Sequence, residues 1–506
     1  MSPVHTRLLQ NGETVSWNDL SPQPLNTWRR RIIADVQEGA RLALLFAHPV
    51  GPWNRLIALL AYEAEGHLAF LASDVEGEYP SLTPECPQAH WFERELFELW
   101  GVKPEGHPWL KPIRFQASYR PGKQRGGQSA ENALQPGITD FFRVEGEEVH
   151  EVAVGPVHAG IIEPGHFRFQ CFGERVFHLE ISLGYQHRGI ERALIGGPNR
   201  RTIHYAETLA GDTTIGHATA YCQAVEALAG CQVPVRAQAL RAIALELERL
   251  ANHTGDLGAL AGDVGFLPTM SYCGRLRGDF LNMTALLCGS RFGRGLVRPG
   301  GVAFDADESR IAQLDERLTQ TLKDVTGAAN LLWSTSSVRA RFENAGAVPE
   351  EIARDLGLVG VAARASGIER DVRAQFPFGL FRFFQIPTST WDTGNVFARA
   401  YVRWLEIQRS VAFIREQLKT LPGGPVRVEI GGLESSAVAV SLTEGWRGEI
   451  CHVALTGSDG RLAQYKIVDP SFHNWMGLAM ALRDQEISDF PLCNKSFNLS
   501  YCGHDL

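Results

Sequence analysis

Gln238-Ala-Leu-Arg-Ala-Ile-Ala-Leu-Glu-Leu-Glu-Arg-Leu-Ala-Asn-His-Thr-Gly-Asp-Leu-Gly-Ala-Leu-Ala-Gly262 is the stretch whose reading decides the fold. Apolar residues recur at intervals of three and four and no proline interrupts, which predicts a long amphipathic helix. Val396–Leu418 and Glu308–Leu332 carry the same period. Facing helices of this kind form bundles that can enclose a buried site. Val426–Ile467 interrupts the helical pattern with β-rich sequence. Upstream, Arg41–Ala47 and His67–Leu71 read as strands, while Trp28–Glu38 and Trp53–Glu65 carry helical spacing. The chain therefore divides into an α+β module over 1–115, a linker over 116–148 and a mainly α-helical domain with a small β-rich part over 149–506. The linker holds Pro121-Gly-Lys-Gln-Arg-Gly-Gly-Gln-Ser129, where glycine, basic and polar residues cluster without a period.

With 506 residues, of which 44% are hydrophobic and 21% charged, the composition is that of an ordinary globular protein with several domains. A net charge of −8 argues against nucleic-acid binding. No apolar run approaches the ~20 residues of a spanning helix, and Leu42–Val50 reads as a buried strand. Met1-Ser-Pro-Val-His5 shows no export signal, so the expected location is cytoplasmic, with membrane contact through partners. The 9 cysteines are scattered, and no two form a Cys-x-x-Cys pair. Reduced thiols acting mostly as small buried apolar groups are expected.

Trp91-Phe-Glu-Arg-Glu-Leu-Phe-Glu-Leu-Trp-Gly-Val-Lys-Pro-Glu-Gly-His-Pro108 closes the first module. It resembles the signature of the 30-kDa subunit of respiratory complex I. Its charged Glu93, Arg94 and Glu95 are expected to form a docking face. Residues 151–506 resemble both the 49-kDa subunit of complex I and the large subunit of group 4 nickel-iron hydrogenases, including the formate hydrogenlyase type. The shared landmarks begin with Gly155-Pro-Val-His158, Glu163-Pro-Gly-His-Phe-Arg168 and Gly184-Tyr-Gln-His-Arg-Gly-Ile-Glu191. The Glu-Leu-Glu-Arg helix ending in Asp263-Val-Gly265 follows, then Gly289-Ser-Arg291, Pro299-Gly-Gly301 and Arg364-Ala-Ser-Gly367 with Asp371 and Arg373. Glu444-Gly-Trp-Arg-Gly-Glu449 comes near the end.

The resemblance implies a nickel-iron centre held by two pairs of soft thiolates, and this chain departs from it there. Registered on Ala220-Tyr221, the first pair falls on Ala210 and Thr213. Registered on Ser496-Phe497, the second falls on Ser500 and Gly503, with Cys502 one residue out of register. No standard metal centre is expected. The quinone ligands implied by complex I are also displaced: Pro164 precedes Gly165-His-Phe-Arg168, and the quinone-facing tyrosine falls on Gly211. The aspartate that supports the complex I histidine has a counterpart in Asp263.

A titratable lining remains. Glu163 matches the region of the hydrogenase glutamate that passes protons, and Arg447 matches an arginine beside the metal's diatomic ligands. A carboxyl walled in by helices favours its neutral form, which suits proton transfer near neutral pH. His158, His166, His187 and His217 are candidates to extend a relay, against the alternative of hydrogen-bonded core residues. Asp212, His217, Cys502 and His504 offer N, O and S donors for a different metal such as zinc.

The resemblance implies a peripheral-arm subunit of an energy-converting, complex I-like membrane redox complex, at the cytoplasmic face of the cell membrane. The subunit would couple redox chemistry or cavity protonation to ion translocation. This chain has no clustered cysteines, so an iron-sulfur cluster is expected in a docked small subunit of the complex I 20-kDa type, above antiporter-like membrane subunits. No cofactor bound by this chain is expected. Two alternatives stay open: a structural coupling subunit with a vestigial cavity, and an NADH dehydrogenase-like subunit serving quinone or another acceptor.

Overall fold

The first module is an antiparallel sheet in the order Leu8–Leu9, His67–Val75, Trp53–Tyr62, Arg41–Val50, in a computed structural model that describes residues 7–119, 139–160 and 162–506. Helix Leu25–Gln37 and the strands from Arg41 and His67 match the sequence expectation. Trp53–Glu65 does not: it is the strand Trp53–Tyr62 and the turn after it. Leu56, Ala58, Leu59, Leu60 and Ala61 are all 0% exposed, so the strand is covered on both faces. A strand buried on both faces loses the polar–apolar alternation that marks strands, and its unbroken apolar run also satisfies a helical period.

The modules share a sheet. Thr14–Ser16 pairs antiparallel with Ala437–Glu444, extending the order Leu462–Val468, Glu449–Thr456, Ala437–Glu444. These strands confirm the β-rich excursion. The expected helices appear as Val235–Asp263, Glu308–Ser334 and Val396–Lys419. Val235–Asp263 packs along Leu267–Cys288 and Val396–Lys419. At Gly258 a β-carbon would stand 2.9 Å from Cys273 Cβ, so the close approach of the first two helices depends on glycine there. A further sheet, Val149–Val154, His166–Phe172 and Arg175–Ser182, opens the second domain. The sequence reading passed over it, although Phe167, Phe169 and Cys171 alternate and are all fully buried.

The Glu93–Glu95 segment lies inside the molecule, not on an external docking face. Glu93 accepts from the Ser81 hydroxyl at 2.5 Å and from the Leu82 and Thr83 amides at 2.7 and 3.1 Å. Arg94 donates to the Lys111 and Pro112 carbonyls at 2.8 and 2.7 Å. Glu95 accepts from Lys466 Nζ at 2.7 and 2.8 Å, and Arg114 also pairs with it. The helix His90–Trp100 thus docks onto the chain's own second domain. Its charges are buried because partners await them. The expected linker is ordered where it is described: Phe142 N donates to Glu180 at 2.8 Å and Lys111 Nζ to the Asp140 carbonyl at 2.7 Å. The Pro121–Ser129 tract lies outside the described residues.

Removing one member of a buried ion pair typically costs ~3–5 kcal/mol, because the remaining charge is stranded. Glu95→Ala should therefore lower the unfolding free energy by about that amount in denaturant titrations, whereas a change below ~1 kcal/mol would mark the pair as solvated.

Candidate functional site

Two segments would have to be cross-linked by a metal centre of the kind the resemblance implies. The first is the turn bearing Ala210, Asp212 and Thr213, between helices Thr202–Glu207 and Thr214–Leu228. The second runs from Asn498 into helix Tyr501–Asp505. Arg447, in the turn between strands Ala437–Glu444 and Glu449–Thr456, joins them. Its terminal nitrogens donate to the Asp212 carboxylate oxygens at 2.6 and 2.7 Å, and one also reaches Thr213 Oγ1 at 3.1 Å. Its Nε donates to the Asn498 carbonyl at 2.5 Å. The guanidinium lies 3.9 Å from the centre of the Trp446 ring, whose Nε1 holds the Asp212 carbonyl at 3.0 Å. Burial would raise the Asp212 carboxyl, but the Arg447 charge and hydrogen bonds outweigh it and hold it ionised.

The replaced positions are closed. Ala210, Thr213 and Ser500 are 0%, 1% and 2% exposed. Ser500 Oγ caps the last helix by accepting from the Gly503 amide at 2.9 Å. At Gly503 a β-carbon would meet the Asp469 carboxylate at 2.7–3.0 Å. Asp469 is itself fixed, accepting from the Ser471 amide at 2.8 Å and paired with His217 Nε2 at 2.9 Å. A methyl, two hydroxyls and a glycine offer no soft thiolate, so these residues do not fit a nickel-iron centre.

The zinc alternative is not assembled either. Asp212 is tied to Arg447, and His217 to Asp469 and His452. His504 is wedged between the Phe472 and Trp91 rings with Nδ1 on Asp505 at 2.8 Å. Burial, followed by the Glu163 charge, pushes the Cys502 thiol up to about 12. Among the described residues no three His, Cys, Asp or Glu side chains gather as a metal set.

Glu163 is not walled by helices. It lies half-buried in the Gly155–Gly165 connection between two strands, accepting from the Tyr501 amide at 3.2 Å and from the Cys502 thiol. The histidines expected around it are not joined into one relay. His158 Nε2 bonds the Gly165 carbonyl at 2.9 Å. His166 Nδ1 bonds the Gly155 carbonyl at 3.2 Å and its Nε2 accepts from Arg168. His187 Nδ1 bonds the Asp505 carbonyl at 2.7 Å. His158 and His166 bond carbonyls within their own connection, whereas His187 reaches the C-terminal segment, and burial lowers the pKa of His166 and His187. Asp263 stands at the exposed end of its helix, with no hydrogen bond to His158 or His166 among the described residues.

Sequence reasoning missed Asp469, His452 and Tyr465, which back the site, and an ionic cluster behind Trp446. In that cluster Arg364 pairs with Glu406 at 2.7 Å and Glu444 at 2.8 Å, and His253 Nε2 with Glu406 at 2.7 Å. Burial drives His253 down to about 4. Asp469-Pro470 carried a legible signal: an N-cap aspartate followed by proline at the first helical position.

Residues 263–433 match the family described as the respiratory-chain NADH dehydrogenase 49 Kd subunit, and residues 56–123 the corresponding 30 Kd subunit. Formate hydrogenlyase subunit 5 of Escherichia coli is 32% identical over 84% of this chain and 76% of its own length. The carbon monoxide-induced hydrogenase of Rhodospirillum rubrum is 32% identical over 69% of this chain and 97% of its own length. NADH-quinone oxidoreductase subunit 4 of Thermus thermophilus is 31% identical over 68% of this chain and 90% of its own length. With its sheet-rich front module, helical domain and small second sheet, the chain belongs to the family of complex I 30-kDa and 49-kDa subunits and their hydrogenase relatives, in the fused arrangement.

Proposed function

We propose that this chain is the fused peripheral subunit of a complex I-like, hydrogenase-related membrane complex that works without a nickel-iron centre. In this reading an iron-sulfur small subunit and antiporter-like membrane subunits are its partners. Protonation in the pocket is coupled to ion movement. The observation that carries the reading is the set Ala210, Thr213, Ser500 and Gly503, which offers no thiolate, with no room for a β-carbon at Gly503 beside Asp469. Family membership supports the multisubunit setting, since relatives include a membrane-bound hydrogenase subunit of Pyrococcus furiosus, 27% identical over 69% of this chain. No helix among the described residues is long and apolar enough to cross a membrane, which fits contact through partners.

In this reading Glu163 is the carboxylate that exchanges protons at the site. It is half-buried, reachable from the Gly155–Gly165 connection, and touches the C-terminal segment at Tyr501 and Cys502. A carboxylate in that position acts as a general acid or base toward a group or water in the pocket.

Two outcomes follow from this arrangement. Gly503→Ala forces the Asp469 carboxylate to move, and overpacking of this kind costs ~1–3 kcal/mol, read as a lower midpoint in denaturant unfolding. An unchanged midpoint would show that the space is open. Glu163→Gln keeps the shape and the acceptor for Tyr501 but removes the titrating proton. Ion-coupled turnover of the assembled complex in membrane vesicles should fall ~10²-fold or more, with assembly intact. His178→Gln, beside the Phe142 ring on the outer sheet, should leave turnover unchanged. Wild-type turnover in Glu163→Gln would sink the proton-handling role.

A further inference from the structure

Behind the Asp212–Arg447 site, four side chains form an unbroken hydrogen-bonded line. Asp469 Oδ2 stands 2.9 Å from His217 Nε2. His217 Nδ1 stands 3.1 Å from His452 Nε2, and His452 Nδ1 stands 2.9 Å from the Tyr465 hydroxyl. His217, His452, Asp469 and Tyr465 are 0%, 0%, 1% and 2% exposed. The line crosses from helix Thr214–Leu228 to strands Glu449–Thr456 and Leu462–Val468, so three elements contribute to it.

The polarity of the line is fixed by its end groups. An ionised carboxylate only accepts, so His217 carries a proton on Nε2, and with its imidazole neutral, the resting state of the relay, it presents a bare Nδ1. His452 must then donate from Nε2 and accept at Nδ1, and the Tyr465 hydroxyl fills that last acceptor. Every donor points toward Asp469. Burial would raise the Asp469 carboxyl, but its contact with His217, the Arg447 charge and the Ser471 hydrogen bond outweigh it and lower it.

We propose that Tyr465, His452, His217 and Asp469 form a proton relay that stores protons and delivers them to the Asp212–Arg447 site. The proposal deepens the proton-coupling function above and rests on it for its purpose. The transfer balances. A proton arriving at the Tyr465 oxygen displaces the hydroxyl proton onto His452 Nδ1. The Nε2 proton of His452 passes to His217 Nδ1. Tyrosine and His452 end neutral, and the added charge resides on a His217 imidazolium paired with the Asp469 carboxylate. Asp469 then takes the Nε2 proton, its carboxylate packed against Gly503. Tyr465 is a positioning residue, acting through His452.

The test uses the full chain labelled with ¹⁵N in its histidine rings. Long-range ¹H–¹⁵N spectra should show both His217 and His452 neutral with the proton on Nε2, and the two ring protons should exchange with deuterated solvent at one common rate. Tyr465→Phe preserves the ring and removes the end donor, and should slow that exchange ~10²-fold, the scale of a lost acid–base partner. Tyr221→Phe is the control. Its ring lies 6.1 Å from that of Tyr465, but its hydroxyl bonds Thr202 at 2.6 Å, off the line, so exchange should be unaltered. Ring protons lodged on nitrogens that face away from each other, or exchange indifferent to Tyr465→Phe, would overturn the relay. In the assembled complex Tyr465→Phe should also lower coupled turnover ~10²-fold. A wild-type complex with no coupled turnover would defeat the proposed function, while the exchange experiment would still decide the relay.

Discussion

A buried guanidinium must be paired, and in this protein the pairing of Arg447 holds the site together. Arg447 is 6% exposed, so leaving its charge unpaired would cost several kcal/mol. The bidentate geometry fixes direction as well as distance. Because its Nε reaches the Asn498 carbonyl while its fork grips Asp212, one side chain draws together two segments hundreds of residues apart. A metal centre would do the same with four thiolates. Here the work is divided among Arg447, the Ser500 cap and the Asp469–His217 pair.

This arrangement explains how the fold survives the loss of soft ligands. Removing metal-binding cysteines from a metal site would ordinarily leave cavities or stranded polar groups. In this chain the substitutes are small or self-satisfied: Ala210 is apolar, the Thr213 and Ser500 hydroxyls are bonded, and Gly503 makes room for a carboxylate. The surrounding ionic cluster follows the same rule, since Arg364 and His253 both find carboxylates.

The helices were legible because they are long and periodic: Gln238–Gly262 falls inside Val235–Asp263. The family landmarks gave the expected ligand positions, and Ala210, Thr213 and Ser500 among them are buried. Trp53–Tyr62 was misread because a strand buried on both faces carries no period of two. That Glu95 docks on the chain's own Lys466 was not legible, because a sequence does not reveal which distant residues will meet it. Similarly, the histidines near Glu163 are close in sequence, yet each bonds the nearest backbone carbonyl. His452 and Tyr465 were invisible because each is one buried strand position among several, and only strand pairing brings them to His217.

The central claim is that protein bonds stand where this family's hydrogenase members hold nickel. The most direct test is elemental analysis of the complex isolated from its native membranes, with the chain quantified by amino-acid analysis. The account predicts iron at the level of the partner's cluster and no nickel. About one nickel per chain, retained through purification, would contradict it.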